Sequence, residues 1–162
     1  RRAYNLAREF IADFDNSFQN LFFYGDTGVG KPFFPIVLLT IFWTVHTVTV
    51  FFAFELFDFL ASSAFSRSSD APDDEPIFDC DLLIIDDLGT ELTNSFVSSQ
   101  LFLCINERIM RKKSTIISTN LKLEDFSATY SERTFSRIAS NYQMTKLVGK
   151  DIRIQKIFLG GK

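Results

Sequence analysis

The run Gly25-Asp26-Thr27-Gly28-Val29-Gly30-Lys31 follows four apolar residues, Leu21-Phe22-Phe23-Tyr24. A short buried strand ending in such a turn aims backbone amides inward, and glycine tolerates the dihedrals this requires. Lys31 would neutralise the β- and γ-phosphates of a bound nucleotide, and the N-terminus of a following helix would add a favourable dipole. Gly25, Asp26, Thr27, Gly28, Val29, Gly30, Lys31 and Pro32 are therefore the candidate phosphate-binding loop. Pro32 breaks the pattern, because Ser or Thr belongs there. It removes a hydroxyl ligand for magnesium and an N–H that would face the phosphates, and it biases Lys31 away from helical dihedrals.

A second constellation lies downstream. Leu82-Leu83-Ile84-Ile85 reads as a buried strand closed by Asp86-Asp87-Leu88-Gly89. Carboxylates at the carboxyl end of a strand stand where α/β folds bind ligands. Asp86 would hold Mg2+ through water, and Asp87 would orient or deprotonate an attacking water. The plain alternative is a strand that simply ends in an acidic turn. Ser118-Thr119-Asn120, after another apolar strand, could bring a polar side chain to the γ-phosphate or to that water. ATP and Mg2+ are the cofactors this set implies.

These residues need a scaffold, and the pattern supplies one. Arg1 to Asp13 predicts an amphipathic helix with Tyr4, Ala7, Ile11 and Phe14 near one face. Phe33 to about Thr44 predicts the helix after the glycine turn, Val45 to Phe52 a second strand and Phe54 to Phe65 another helix. Ser66 to Pro76 reads as a loop whose Asp73-Asp74-Glu75 is a solvated charge run rather than a paired-carboxylate site. Asn94 or Ser95 caps a helix with the stripe Val97, Leu101, Ile105, Ile109. Thr115 to Ser118 is the fourth strand, Ser131 opens a helix through Ser140, and Met144 to Leu147 is the fifth strand. Strands alternating with helices predict a parallel sheet covered on both faces.

The 162 residues have room for one domain with a real core. A net charge of -3 gives no general pull toward polyanions, so contact with nucleic acid would need a local patch. Cys80 and Cys104 are too few for a disulfide framework and lack metal-ligand spacing, which favours reduced thiols and a cytoplasmic setting. Pro32 to Phe54 carries no formal charge and is long enough to span a bilayer. Its prolines, threonines and His46, and the damage a span would do to the glycine turn, favour a helix and a buried strand instead, with no membrane. His46 is the only histidine and reads as structural. Zinc sites, nicotinamide fingerprints and glycosidase carboxylate pairs find no support.

The combination of Leu21 to Lys31, Ala53-Phe54-Glu55-Leu56, Asp81 to Gly89, Ser114 to Asn120, Glu132-Arg133 with Ser136-Arg137-Ile138, and Gly149 to Arg153 resembles a known group. It is similar to the ATPase domain of the DnaC/DnaI bacterial helicase loaders, a branch of the AAA+ ATPases shared with the IstB-like transposition proteins. The resemblance implies an α/β P-loop NTPase fold, a five-stranded parallel sheet sandwiched between helices, in one AAA+ domain over residues 1–162. It implies that Asn120 is the sensor on the fourth strand, with Thr119 the runner-up. Arg137 would be an arginine finger reaching a neighbouring subunit's nucleotide, and Arg153 the second sensor arginine. A salt bridge on a helix face is the plainer role for Arg137.

The implied partners are a replicative DNA helicase, single-stranded DNA and, with ATP bound, further copies of the chain. Arg111-Lys112-Lys113 with Lys146, Lys150 and Lys156 are the candidate DNA contacts, although a lysine run between a helix and a strand is ordinarily a solvated turn. The loaders carry a separate N-terminal helicase-binding region, to which nothing here corresponds, so the chain reads as the ATPase module. Two other functions stay open: a non-hydrolysing scaffold blunted by Pro32, and an IstB-like transposition ATPase. Residues 33–43 carry no charge where an amphipathic helix is expected, and no physical account of that is evident.

Overall fold

The computed structural model describes residues 2–25, 46–65 and 75–148. Helix α1 (Arg2–Ala12) leads into β1 (Leu21–Tyr24); β2 (Val48–Phe52) runs into α2 (Ala53–Phe65). Then follow α3 (Glu75–Asp79), β3 (Leu82–Leu88), α4 (Ser95–Met110), β4 (Ser114–Thr119), α5 (Leu123–Tyr130), α6 (Glu132–Asn141) and β5 (Gln143–Lys146). The strands form a five-stranded sheet in the order β2-β3-β4-β1-β5, and every pairing is parallel.

The alternation of side chains along each strand divides the core in two. Phe22, Leu83, Ile85 and Ile117 face one side, where they pack with residues of α2 to α6. Leu21, Phe23, Leu82, Ile84 and Ile116 face the other, with Leu6 and Phe10 of α1. Strands buried on both faces read as continuous apolar runs, which is why they are legible as LFFY and LLII. Leu6 and Phe10 of α1 are buried, and Ile11 and Phe14 of the expected face pack half-buried against the same core.

Several boundaries differ from expectation. The second strand starts at Val48 rather than Val45, because Thr47 is drawn into a clasp with Asp81. In that clasp the Thr47 N–H and hydroxyl both donate to Asp81 Oδ2 at 2.9 Å, and Asp81 N–H returns a bond to Thr47 Oγ1 at 2.9 Å. Glu75 opens the short helix α3 instead of closing a loop, and α5 occupies a stretch that carried no predicted helix. α5 lacks a side-chain N-cap, so its start has no local signature. The predicted helix over Phe33–Thr44, and Asp73 and Asp74, lie outside the described residues. No helix among the described residues is long and apolar enough to cross a membrane.

Arg108 was not anticipated as a core residue, yet it is fully buried on α4. Its guanidinium donates to the carbonyls of Ile77 (2.6 Å), Phe78 (3.3 Å), Cys80 (3.1 Å) and Ser114 (2.7 Å), and to Thr115 Oγ1 (2.9 Å). Its planar fork of donors binds α3, the start of β3 and the start of β4 together. Cys80 and Cys104 are free and buried nearby, and burial pushes the Cys104 thiol up to about 12. A thiol raised that far is a poor nucleophile near neutral pH.

Candidate functional site

The carboxyl ends of β1, β3 and β4 meet on one edge of the sheet. Tyr24 of β1 and Leu88 of β3 both pair with Thr119 of β4, so the three strand ends stand in one row. Two strand spacings separate the outer pair, about 10 Å. Gly25 follows directly on β1, Asp86 and Asp87 precede Leu88, and Asn120 follows Thr119 between them.

The two aspartates occupy an irregularity. Ile85 pairs with Ile117, but the next pairing is Leu88 with Thr119, so β3 spends one residue more than β4 over this interval. Such bulges re-aim side chains. Asp87 takes φ of 59°, a left-handed conformation uncommon outside glycine. Its N–H is held by Asp86 Oδ1 (3.1 Å) and Ser118 Oγ (3.1 Å), and the Ser118 hydroxyl also donates to Asp86 Oδ1. Asp86 is buried, with Oδ1 engaged in these bonds and Oδ2 taking no part in them.

Asn120 Nδ2 donates to Asp87 Oδ1 at 2.8 Å. Its own Oδ1 is buried and has no hydrogen-bond partner among the described residues. A buried acceptor left unpaired costs free energy, so this atom awaits a donor such as water or a ligand. Thr119, by contrast, is fully buried and spent on structure: its hydroxyl donates to Leu88 O (2.5 Å) and accepts from Leu121 N–H (3.1 Å). Gly89, at φ of 102°, lies so close to Leu121 that an added Cβ would stand 2.7 Å from that side chain. Asp87, Leu88 and Gly89 thus meet Asn120, Thr119 and Leu121 across the two loops.

Gly25 has φ of 148°, and a Cβ there would come within 2.2 Å of Leu147 O. Only glycine fits. Beside it lies a cavity of about 480 Å3 lined by Tyr24, Gly25, Asn120, Leu121, Lys122, Leu123, Glu124 and Lys146. Asp26, Thr27, Gly28, Val29, Gly30, Lys31 and Pro32 lie outside the described residues, as does Arg153. Arg137 is exposed on α6 and makes no salt bridge among the described residues, so the surface ion pair considered for it is not formed there. Its neighbour Arg133 instead lies over the Phe102 ring at 4.1 Å.

Within the basic run named as a candidate DNA contact, two of the three cations are ion-paired. Arg111 pairs with Asp79 (2.6 Å) and Glu107 (3.7 Å), and Lys113 pairs with Asp81 (3.0 Å). The run precedes β4, at the amino edge of the sheet, beside a second cavity of about 470 Å3. His46 stands there between Asp15 (3.1 Å) and Asp81 (3.9 Å), with its ring edge-on to Phe14. Among the described lysines named for DNA contact, Lys146 borders the first cavity; Lys150 and Lys156 lie outside the described residues.

The described residues fit a magnesium ion that arrives with a nucleotide. No group of three or more His, Cys, Asp or Glu side chains among them could cage a metal. Magnesium is commonly held by one or two carboxylates, water and substrate phosphates, and Asp86, whose Oδ2 has no hydrogen bond among the described residues, suits that role. The orphaned Asn120 Oδ1 beside Asp87 suits a water to be oriented.

A family model described as IstB-like ATP-binding protein matches residues 5–142, and the chain belongs to that family. Its fold is that of the AAA+ P-loop NTPases. A solved structure of the DnaC helicase loader superimposes with a TM-score of 0.79 at 23% identity, over 91% of this chain and 89% of that one. The DnaI structure gives 0.76 at 18% identity, over 91% and 84%. The replication initiator DnaA bound to AMPPCP and single-stranded DNA gives 0.78 at 17% identity; it matches 99% of this chain, which spans 50% of that one. No curated protein matches the chain in sequence.

Proposed function

We propose that residues 1–162 form one AAA+ ATPase domain of a cytoplasmic helicase loader of the primosome, whose ATP state is coupled to a replicative helicase and to single-stranded DNA. The observation that carries this reading is the single row of strand ends that brings Gly25, Asn120 and the Asp86–Asp87 pair to one edge. The likeness to DnaC, DnaI and nucleotide-bound DnaA supports it.

In this reading the loop from Gly25 to Pro32 holds the phosphates, with Lys31 as the counter-charge. Asp86 would hold magnesium through water, and the ion would supply positive charge to offset that of the phosphates. Asp87 orients the attacking water or takes its proton, and Asn120 Oδ1 fixes that water in place. Arg137 and Arg153 supply guanidinium charge to the transferring phosphoryl oxygens, Arg137 from a neighbouring copy in an ATP-bound oligomer.

Pro32 favours a second reading, a nucleotide-sensing scaffold that does not hydrolyse. Magnesium-dependent ATPase of this chain, measured beside Pro32→Thr and Asp87→Asn, separates the two. Restoring the hydroxyl should raise turnover at least about tenfold, and Asp87→Asn should abolish it. Nucleotide affinity and turnover identical in all three would overturn the site assignment. Co-purification with a replicative helicase, rather than a transposase, tests the partner against the IstB-like alternative.

A further inference from the structure

The loop after β3 is tied to a helix that the phosphate chemistry alone does not require. Glu91 accepts the Gly89 N–H on Oε2 at 3.0 Å and the Tyr130 hydroxyl on Oε1. Tyr130 is fully buried and ends α5; its ring packs on Phe126, with centroids 4.8 Å apart. Phe126 in turn stands edge-on to Phe22 of β1 at 5.2 Å. The next residue, Ser131, has φ of 91°, and its hydroxyl caps α6 by accepting Thr134 N–H at 3.3 Å. Arg137 rides on that helix.

One carboxylate therefore joins the peptide two residues beyond Asp87 to the residue before the cap of the Arg137 helix. A buried hydroxyl on a carboxylate is a strong, directional bond, and burial together with Glu91 pushes the Tyr130 phenol well above its ordinary range. We propose that Glu91 and Tyr130 are positioning residues that hold the Asp87 loop and the Arg137 helix in fixed relation, so that the acid serving one subunit's nucleotide and the arginine offered to the next move together. This rests on the roles given above to Asp87 and Arg137. Neither Glu91 nor Tyr130 touches the reacting atoms. Two of the three non-glycine residues with positive φ among the described residues, Asp87 and Ser131, lie beside the tie, so its loss would be felt at each.

Tyr130→Phe keeps the ring and removes only the hydroxyl; Glu91→Ala removes the acceptors of both the Gly89 N–H and the Tyr130 hydroxyl. The test compares both, their double variant and Asp87→Asn with the parent, by amide hydrogen exchange and by steady-state ATP turnover. In each single variant exchange should rise about tenfold over both 87–91 and 131–137, as loss of one buried hydrogen bond allows. The rate constant kcat should fall about tenfold with KM for ATP within about twofold, and the double variant should be no worse than the poorer single. Faster exchange in one segment only, no change in either, or KM and kcat moving together with the melting temperature would overturn the tie. If Asp87→Asn hydrolyses ATP at the parent rate, the acid assignment fails instead, while hydrogen exchange still decides whether the two segments are coupled.

Discussion

Arg108 and Arg137 show how far burial decides what the same side chain does. Arg108 has no carboxylate partner among the described residues; its charge is spread over backbone carbonyls, a threonine hydroxyl and the Cys80 thiol. Replacing it by methionine would leave those carbonyls unpaired in the core and cost about 3 kcal/mol. Urea unfolding would register this as a lower midpoint with an unchanged slope. Arg137 is exposed, and Arg137→Ala should alter stability by less than about 0.5 kcal/mol. If its charge serves a neighbour's phosphates, nucleotide binding survives the change while turnover falls about a thousandfold. Thermal melts, nucleotide titration and ATPase assays on one preparation check all three outcomes.

Among the elements, the clasp between Thr47 and Asp81 fixes how β2 and β3 begin. Burial alone would raise the Asp81 carboxyl, but the Thr47 N–H and hydroxyl and the Lys113 ammonium outweigh it and hold the group down at about 2. A depressed folded-state value means the unfolded chain takes up the proton first as pH falls. The stabilisation is complete above about pH 4 and is lost by about pH 2. Asp81→Asn should therefore flatten the decline of the urea midpoint across that interval. Asp81 was legible as part of the acidic strand segment, but not as a clasp, because its partner Thr47 lies 34 residues away. Strands and the helix after Asn94 were legible because burial on both faces, or a four-residue stripe, writes itself into local order. α5 was not: Leu123–Tyr130 opens without a side-chain cap and is held by Phe126 and Tyr130, whose contacts are distant. At the site, Asp86, Asp87 and Asn120 could be named from their strand ends, whereas the bulge that re-aims the aspartates depends on register with β4. Glu91 carried no signal of its own, since only the fold brings Tyr130 to it.

For the molecule as a whole, the order β2-β3-β4-β1-β5 makes the strands that lead to Gly25, Asn120 and the Asp86–Asp87 pair the inner three. Among the described residues, strands at the margins hold one neighbour each, and local opening starts where backbone bonds are fewest. Loosening of β2 or β5 would thus leave Gly25, Asn120, Asp86 and Asp87 in mutual register. The cavity beside Gly25 has one wall, at Lys146, that belongs to a marginal strand. A molecule bound there would enter and leave most easily through that wall, while Gly25, Asn120, Asp86 and Asp87 stay seated on the part of the sheet that yields last.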